Sequence, residues 1–249
     1  MFMSRILTVS TIFASLISLA APDAAAGKKS YVGEKSPQAR PVSTDGIDHS
    51  AWDSLLKKYV DADGQVNYRQ WRSSQSDQQT LSRYLCELST ANPQLPAQRE
   101  TKLAFWINAY NAVTVSGILK EYPTSSIRNH TAKVVGYNIW KDYQLYVGGT
   151  PYSLEAIEHQ ILRKMNEPRI HFAIVCASIG CPRLLNEAYV ANRLEEQLER
   201  NSKDFFSRSQ NFRHVPQSNQ FQMSAILDWF GSDFGNDQRA QLNLSLIHI

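Results

Sequence analysis

Cys176 follows an apolar run, Ile170-His-Phe-Ala-Ile-Val175, and precedes a turn of small residues, Ala177-Ser178-Ile179-Gly180, closed by Pro182. A thiolate nucleophile needs a base to take its proton and a third group to orient that base. His159 can supply the base, and Glu158 or Asn108 the orienting group. Backbone N–H groups of the turn could face an oxyanion. Asn111, Arg163, Ser178 and His171 then remain as substrate contacts. The chemistry expected is acyl hydrolysis or transfer. The alternative is a non-catalytic envelope binding or interaction module, in which the Asn/Glu/His/Cys cluster is a polar network fixing the core. A metal site of His159, His171 and Cys176 lacks any recognised zinc spacing, so no metal is expected. With no phosphate-cradling glycine loop, no cofactor is expected either.

The elements that must position these residues can be read from periodicity. The Ile170–Val175 run has strand length and reads as a buried central strand. Lys102 to Leu119 is apolar nearly all round, so it reads as a helix buried in the protein. Asn108 and Asn111 stand one turn apart on it, and buried amides must find partners. Ser153 caps a helix from Leu154 to about Lys164 whose apolar face is Leu154, Ile157, Ile161, Leu162 and Met165. Glu158 falls inside that face, so it needs a partner, such as Arg128 or Arg169, or a raised pKa. Neighbours on a helix point about 100° apart, which makes Glu158 a poor orienter of His159. Further helices are expected at 47–59, 77–89, 192–206 and 225–230. Gly148-Gly149 marks one hairpin, and 212–215 with 220–223 a second. Asp61-Ala-Asp-Gly64 lacks calcium-loop spacing and reads as a turn. Helices and hairpins alternate without a βαβ rhythm. The fold class expected is α+β: a single domain with a small, largely antiparallel sheet packed against helices, loosely papain- or transglutaminase-like.

Composition bounds the rest. The 249 residues carry a formal net charge of +3 with no concentrated basic stripe, which disfavours nucleic acid. Residues 1–26 have the three parts of a secretory signal peptide and predict a mature protein beginning at Gly27, periplasmic or extracellular, without stable membrane insertion. Residues 27–45 are polar and read as a flexible leader, and 46–243 as the domain. Residues 244–249, Leu-Ser-Leu-Ile-His-Ile, match an in-frame translation of a transposon mosaic-end adapter. They are expected to be an artefact on a C-terminally truncated domain; re-reading the locus tests this. Three cysteines, an odd count, leave at least one unpaired within the chain. The partner expected is a small-molecule, peptide or envelope ligand.

Three stretches together carry a resemblance: Phe105-Trp-Ile-Asn-Ala-Tyr-Asn-Ala112, Tyr152-Ser-Leu-Glu-Ala-Ile-Glu-His-Gln-Ile-Leu-Arg163 and Arg169-Ile-His-Phe-Ala-Ile-Val-Cys-Ala-Ser-Ile-Gly-Cys-Pro182. In this order, across roughly Ala51 to Asp233, the sequence resembles the domain-of-unknown-function 547 family of exported bacterial and plant proteins. The resemblance implies no established activity. It singles out Asn108, Asn111, Glu158, His159, Arg163 and Cys176, and it implies that a Cys176–Cys181 disulfide is not obligatory.

Overall fold

The computed structural model describes residues 29–124, 138–175, 180–217 and 220–235. Residues 1–26, expected to be a signal peptide, Arg128, Cys176, Ser178 and the C-terminal residues 236–249 lie outside them. So does the junction at 243–244.

Helix α4 (Arg99–Glu121) is the axis of the larger core. Its residues from Leu103 to Val115 are all buried, as its unbroken apolar character predicts. Around it pack α1 (Ser50–Tyr59), α2 (Tyr68–Ser73) and α3 (Gln75–Ser89). Trp52, Trp71 and Tyr84 fill the space between them, with Trp52 stacked on Tyr84 at 6.0 Å. No helix among the described residues is long and apolar enough to cross a membrane.

A short helix, α5 (Ile139–Asp142), leads into a three-stranded sheet in the order β1 (Ser30–Val32), β2 (Tyr143–Val147), β3 (Thr150–Ser153). β2 and β3 are antiparallel, paired from Gln144–Ser153 to Val147–Thr150. Their turn is Gly148-Gly149, with φ of 56° and 80°, the left-handed pair that a tight hairpin requires. β1 joins β2 in parallel. The segment expected to be a leader is thus tied to the domain from Ser30 onward. Tyr31 stacks on Tyr146, the Lys120 ammonium donates to the Ser30 hydroxyl at 2.8 Å, and Val42 bridges Ala91. It builds no core of its own; it completes the edge of a sheet that already has one.

After β3, the Ser153 hydroxyl accepts from the Ala156 N–H at 3.1 Å and starts α6 (Leu154–Ala156). The helix then widens into one π-helical turn, Ile157–Leu162, and ends in a 3₁₀ turn, Arg163–Met165.

The run expected as a central strand is not one. Pro168–Phe172 is a 3₁₀ helix, and the chain turns at Ala173 and Ile174. A short apolar run reads alike as a strand or a buried helical segment, and here local chemistry decides. Pro168 sets a helical φ at the first turn, and the Glu167 carboxylate accepts from the Arg169 N–H at 3.2 Å. Among the described residues no strand pairs the following backbone; the Asn111 side chain does. Its Nδ2 donates to the Ala173 carbonyl at 3.0 Å, and its Oδ1 accepts from the Val175 N–H at 3.0 Å.

The chain closes with α7 (Leu194–Ser207), the hairpin β4 (Phe212–Val215)–β5 (Gln220–Met223), α8 (Ala225–Trp229) and α9 (Gly231–Phe234). Phe172, Phe205, Phe206, Ile226, Leu227 and Phe234 form a second, smaller core there. The α+β expectation holds.

Candidate active site

A cavity of about 440 Å³ opens between the two cores. Tyr110 of α4 and Trp140 of α5 line one side, and Met223, Ile226, Trp229 and Phe230 line the other. Glu158, His171, Cys181 and Asn211 bring the chemistry.

Glu158 reaches the cavity from the π-helical turn, a deviation frequent at functional sites because it re-aims side chains within a helix. Burial pushes its pKa up. Of the two arginines considered from the sequence, Arg169 bonds Glu167 and Glu195 instead, and Arg128 lies outside the described residues. Instead the Tyr110 hydroxyl donates to Glu158 Oε2 at 3.4 Å, a long bond. A carboxyl so placed is biased towards its protonated form.

His171 is buried, and its Nε2 lies 2.9 Å from Asp233 Oδ2. Phe230 stacks on the ring at 4.0 Å. Burial lowers the His171 pKa despite the carboxylate beside it. Asp233 itself is held down to about 2, chiefly by Arg163, whose Nε and Nη2 donate to its two oxygens at 2.6 and 2.8 Å. The imidazole is therefore neutral, donates from Nε2 and turns its unprotonated Nδ1 elsewhere. Nδ1 has no hydrogen-bond partner among the described residues.

Of the residues expected from the sequence, the structure brings Glu158 and His171 into the cavity. His159 is exposed and lies 3.4 Å from Arg163 Nη1, outside the lining. Arg163 is engaged with Asp233 rather than presented to a ligand. Asn108 is a clamp: Nδ2 donates to the Tyr189 carbonyl at 2.8 Å, and Oδ1 accepts from the Tyr189 N–H at 2.9 Å. Asn111 is the second clamp described above. Cys181 is disulfide-bonded and Cys86 is free. Cys176 and Ser178, the expected nucleophile and one expected contact, lie outside the described residues.

Residues 94–206 match the family model described as "Protein of unknown function, DUF547". Over that stretch the chain is consistent with a DUF547 family assignment. Neither a curated protein nor a solved structure matches the chain. The match is narrower than the resemblance read from the motifs, and its limits divide the cavity. Tyr110, Glu158, His171 and Cys181 come from the matched stretch, while Asn211, Trp229, Phe230 and Asp233 come from beyond it. Sequence reading missed Asp233 and Asn211. The Ser224-capped helix signal ended at Phe230, and nothing in Gly231-Ser-Asp-Phe234 marks an aspartate that meets an arginine 70 residues earlier.

Proposed function

We propose that the cavity is the acid–base site of an acyl hydrolase or transferase, with Glu158 as proton donor and His171, oriented by Asp233, as base. One observation carries this reading. A single pocket holds a carboxyl biased towards protonation and an imidazole kept neutral against an ionised aspartate. Titratable groups pushed apart in this way are how acid and base roles are divided at one pH. Asp233 fixes the tautomer through Nε2, Nδ1 takes the proton of the nucleophile, and Glu158 protonates the departing group. The sequence gives the base's role to His159; His171 suits it better, since it lines the cavity and has a carboxylate behind it.

The nucleophile assigned is the Cys176 thiol, acting when reduced. Screening ester and amide substrates with and without dithiothreitol tests this. Turnover that needs reductant and is abolished by Cys176→Ala sustains it, whereas turnover by the oxidised protein puts water in its place. His171→Ala should abolish turnover by either route. Loss of activity in His159→Ala but not in His171→Ala would overturn the base assignment.

We place the protein outside the cytoplasm. The signal-like residues 1–26 and the disulfide at Cys181 support this, since disulfides persist in oxidising compartments. N-terminal sequencing of exported material should begin at Gly27; intact Met1 would refute it. The second reading, a binding module for an envelope ligand, is favoured by that same disulfide, which leaves Cys181 without a thiol. Ligand binding without turnover under any redox condition would establish it.

A further inference from the structure

Arg163 touches every part of the proposed acid–base arrangement. It closes the π-helical turn, where its backbone N–H donates to the carbonyls of Glu158 and Ile161. Its Nε and Nη2 donate to Asp233 Oδ2 and Oδ1 at 2.6 and 2.8 Å, a two-point grip that fixes the plane of the carboxylate as well as its place. Its guanidinium carbon stands 5.2 Å from the centre of the Phe230 ring, within cation–π reach. Asp233 and Phe230 in turn hold His171, by a hydrogen bond of 2.9 Å and a ring stack at 4.0 Å.

An ion pair open to water adds little to stability, and these two side chains are 29 % and 19 % exposed. The effect of the pair falls on the imidazole instead. The charged groups that act on His171 are Asp233 from α9 and, from the helix after β3, Arg163 and His159. Glu158 and Tyr110 share its cavity. Burial comes first and keeps the ring neutral; Asp233 pulls towards the imidazolium, and Arg163 and His159 oppose it. An ionised aspartate left alone at hydrogen-bond distance draws a proton onto the ring it orients. Arg163 takes up that charge through both carboxylate oxygens and leaves Asp233 as an orienting acceptor.

We propose that Arg163 is the positioning residue of this site: its fork fixes Asp233 and, with Phe230, the His171 ring, while its backbone is tied to Glu158, so that one residue sets acid and base together. This rests on the acid–base reading above and goes beyond it, since that reading needs only Asp233 behind the imidazole. Arg163 is not among the described residues that line the cavity, so it acts through Asp233 rather than on a substrate. A lysine in its place supplies the charge without the fork.

The test is a pH titration of the full chain, isotopically labelled at its histidine nitrogens and followed by long-range proton–nitrogen NMR, with His171→Gln to assign the His171 signals. In the unaltered protein the ring should be a single tautomer with its proton on Nε2. A mixture there overturns the inference, since nothing is then being positioned. Arg163→Met should move the His171 titration upward, because a positive charge is lost beside the ring and that of Asp233 is left unopposed. Arg163→Lys should hold the titration nearer its original place but lose the single tautomer, because the charge stays and the fork goes. An unmoved titration in Arg163→Met, or an Arg163→Lys protein indistinguishable from the unaltered one, overturns the inference. Should Arg163→Met fail to fold, Arg163→Lys decides by itself. Turnover is read separately, on any ester or amide that the screening returns. There Arg163→Met should lower kcat about a hundredfold with KM little changed, and the acid limb of the profile should move to higher pH with the imidazole. A moved titration in a protein without turnover sinks the catalysis alone, and unchanged kcat in Arg163→Met sinks the positioning alone.

Discussion

The buried amides of α4 and the polar wall of the cavity lie in the same molecule and obey different rules. On α4, Asn108 and Asn111 each bond an N–H and a C=O of a distant segment, and nothing is left over. At the cavity, Glu158 has one long bond, His171 has one nitrogen engaged, and Asn211 has an orphaned oxygen. Burial alone does not separate the two regions, since Asn108, Asn111, Asn211 and His171 are all buried. Completeness of hydrogen bonding does. A closed polar group holds the fold, and an open one in a cavity wall waits for something else.

The largest effect that would break this comparison is at Asn108. Asn108→Ala strands both backbone groups of Tyr189 in the core, and each stranded group costs about 1–3 kcal/mol. Urea denaturation should show a loss of about 2–5 kcal/mol. Asn211→Ala strands the single Phe205 carbonyl and removes an unmatched oxygen, so it should cost clearly less. Equal losses at the two sites would erase the distinction.

Asp233 comes next. Its folded pKa of about 2 lies below the ordinary 3.8, because Arg163 and His171 bond its ionised form. A depressed carboxylate adds stability that is fully present above its unfolded pKa and lost as pH falls through the folded one. The urea midpoint should therefore decline between about pH 4 and pH 2. Asp233→Asn should flatten that decline and reduce activity through a misheld imidazole. An unchanged acid profile would show that Asp233 is not ionised against its partners.

Glu158 should behave in the opposite sense. Its folded pKa is raised by burial, so stability is present below the ordinary carboxylate range and lost as pH rises through the folded value. Glu158→Gln stays neutral at every pH. Its melting temperature should equal or exceed that of the unaltered protein at pH 8, with the gap closing near pH 4. A lower melting temperature at pH 8 would mean that the ionised carboxylate is well partnered, and so belongs with the closed groups. The smallest effect expected is at Trp229. Trp229→Ala should change stability by no more than about 0.5 kcal/mol in urea denaturation, as for an exposed side chain.

Much of the scaffold was legible because local chemistry agreed with tertiary need. Gly148-Gly149 supplies the left-handed pair, Ser153 caps, and the apolar α4 is buried nearly all round. The polar oddity of Glu158 in an apolar face also led to the cavity. The 3₁₀ helix at Pro168–Phe172 was not legible, since the backbone just after it, at Ala173, is satisfied by an asparagine side chain 62 residues away. Asp233 and Asn211 were hidden for a related reason. Their significance lies in what they meet, or fail to meet, across the molecule, and no periodicity records that.

The π-helical turn has a bearing on how this site could be gained or lost. A π turn holds one residue more than an α turn, so Ile157–Leu162 has the form of an α-helix with a single insertion absorbed in it. A one-codon deletion there would restore regular winding without touching any residue of the larger core beyond the helix itself. Within the helix, the residues that follow the deletion would rotate by about 100°, carrying Arg163 away from Asp233. The domain's architecture and its proposed acid–base pair are thus separable by one reading-frame-preserving step. Length variation in this helix is where descendants that keep the fold and abandon the chemistry would first differ.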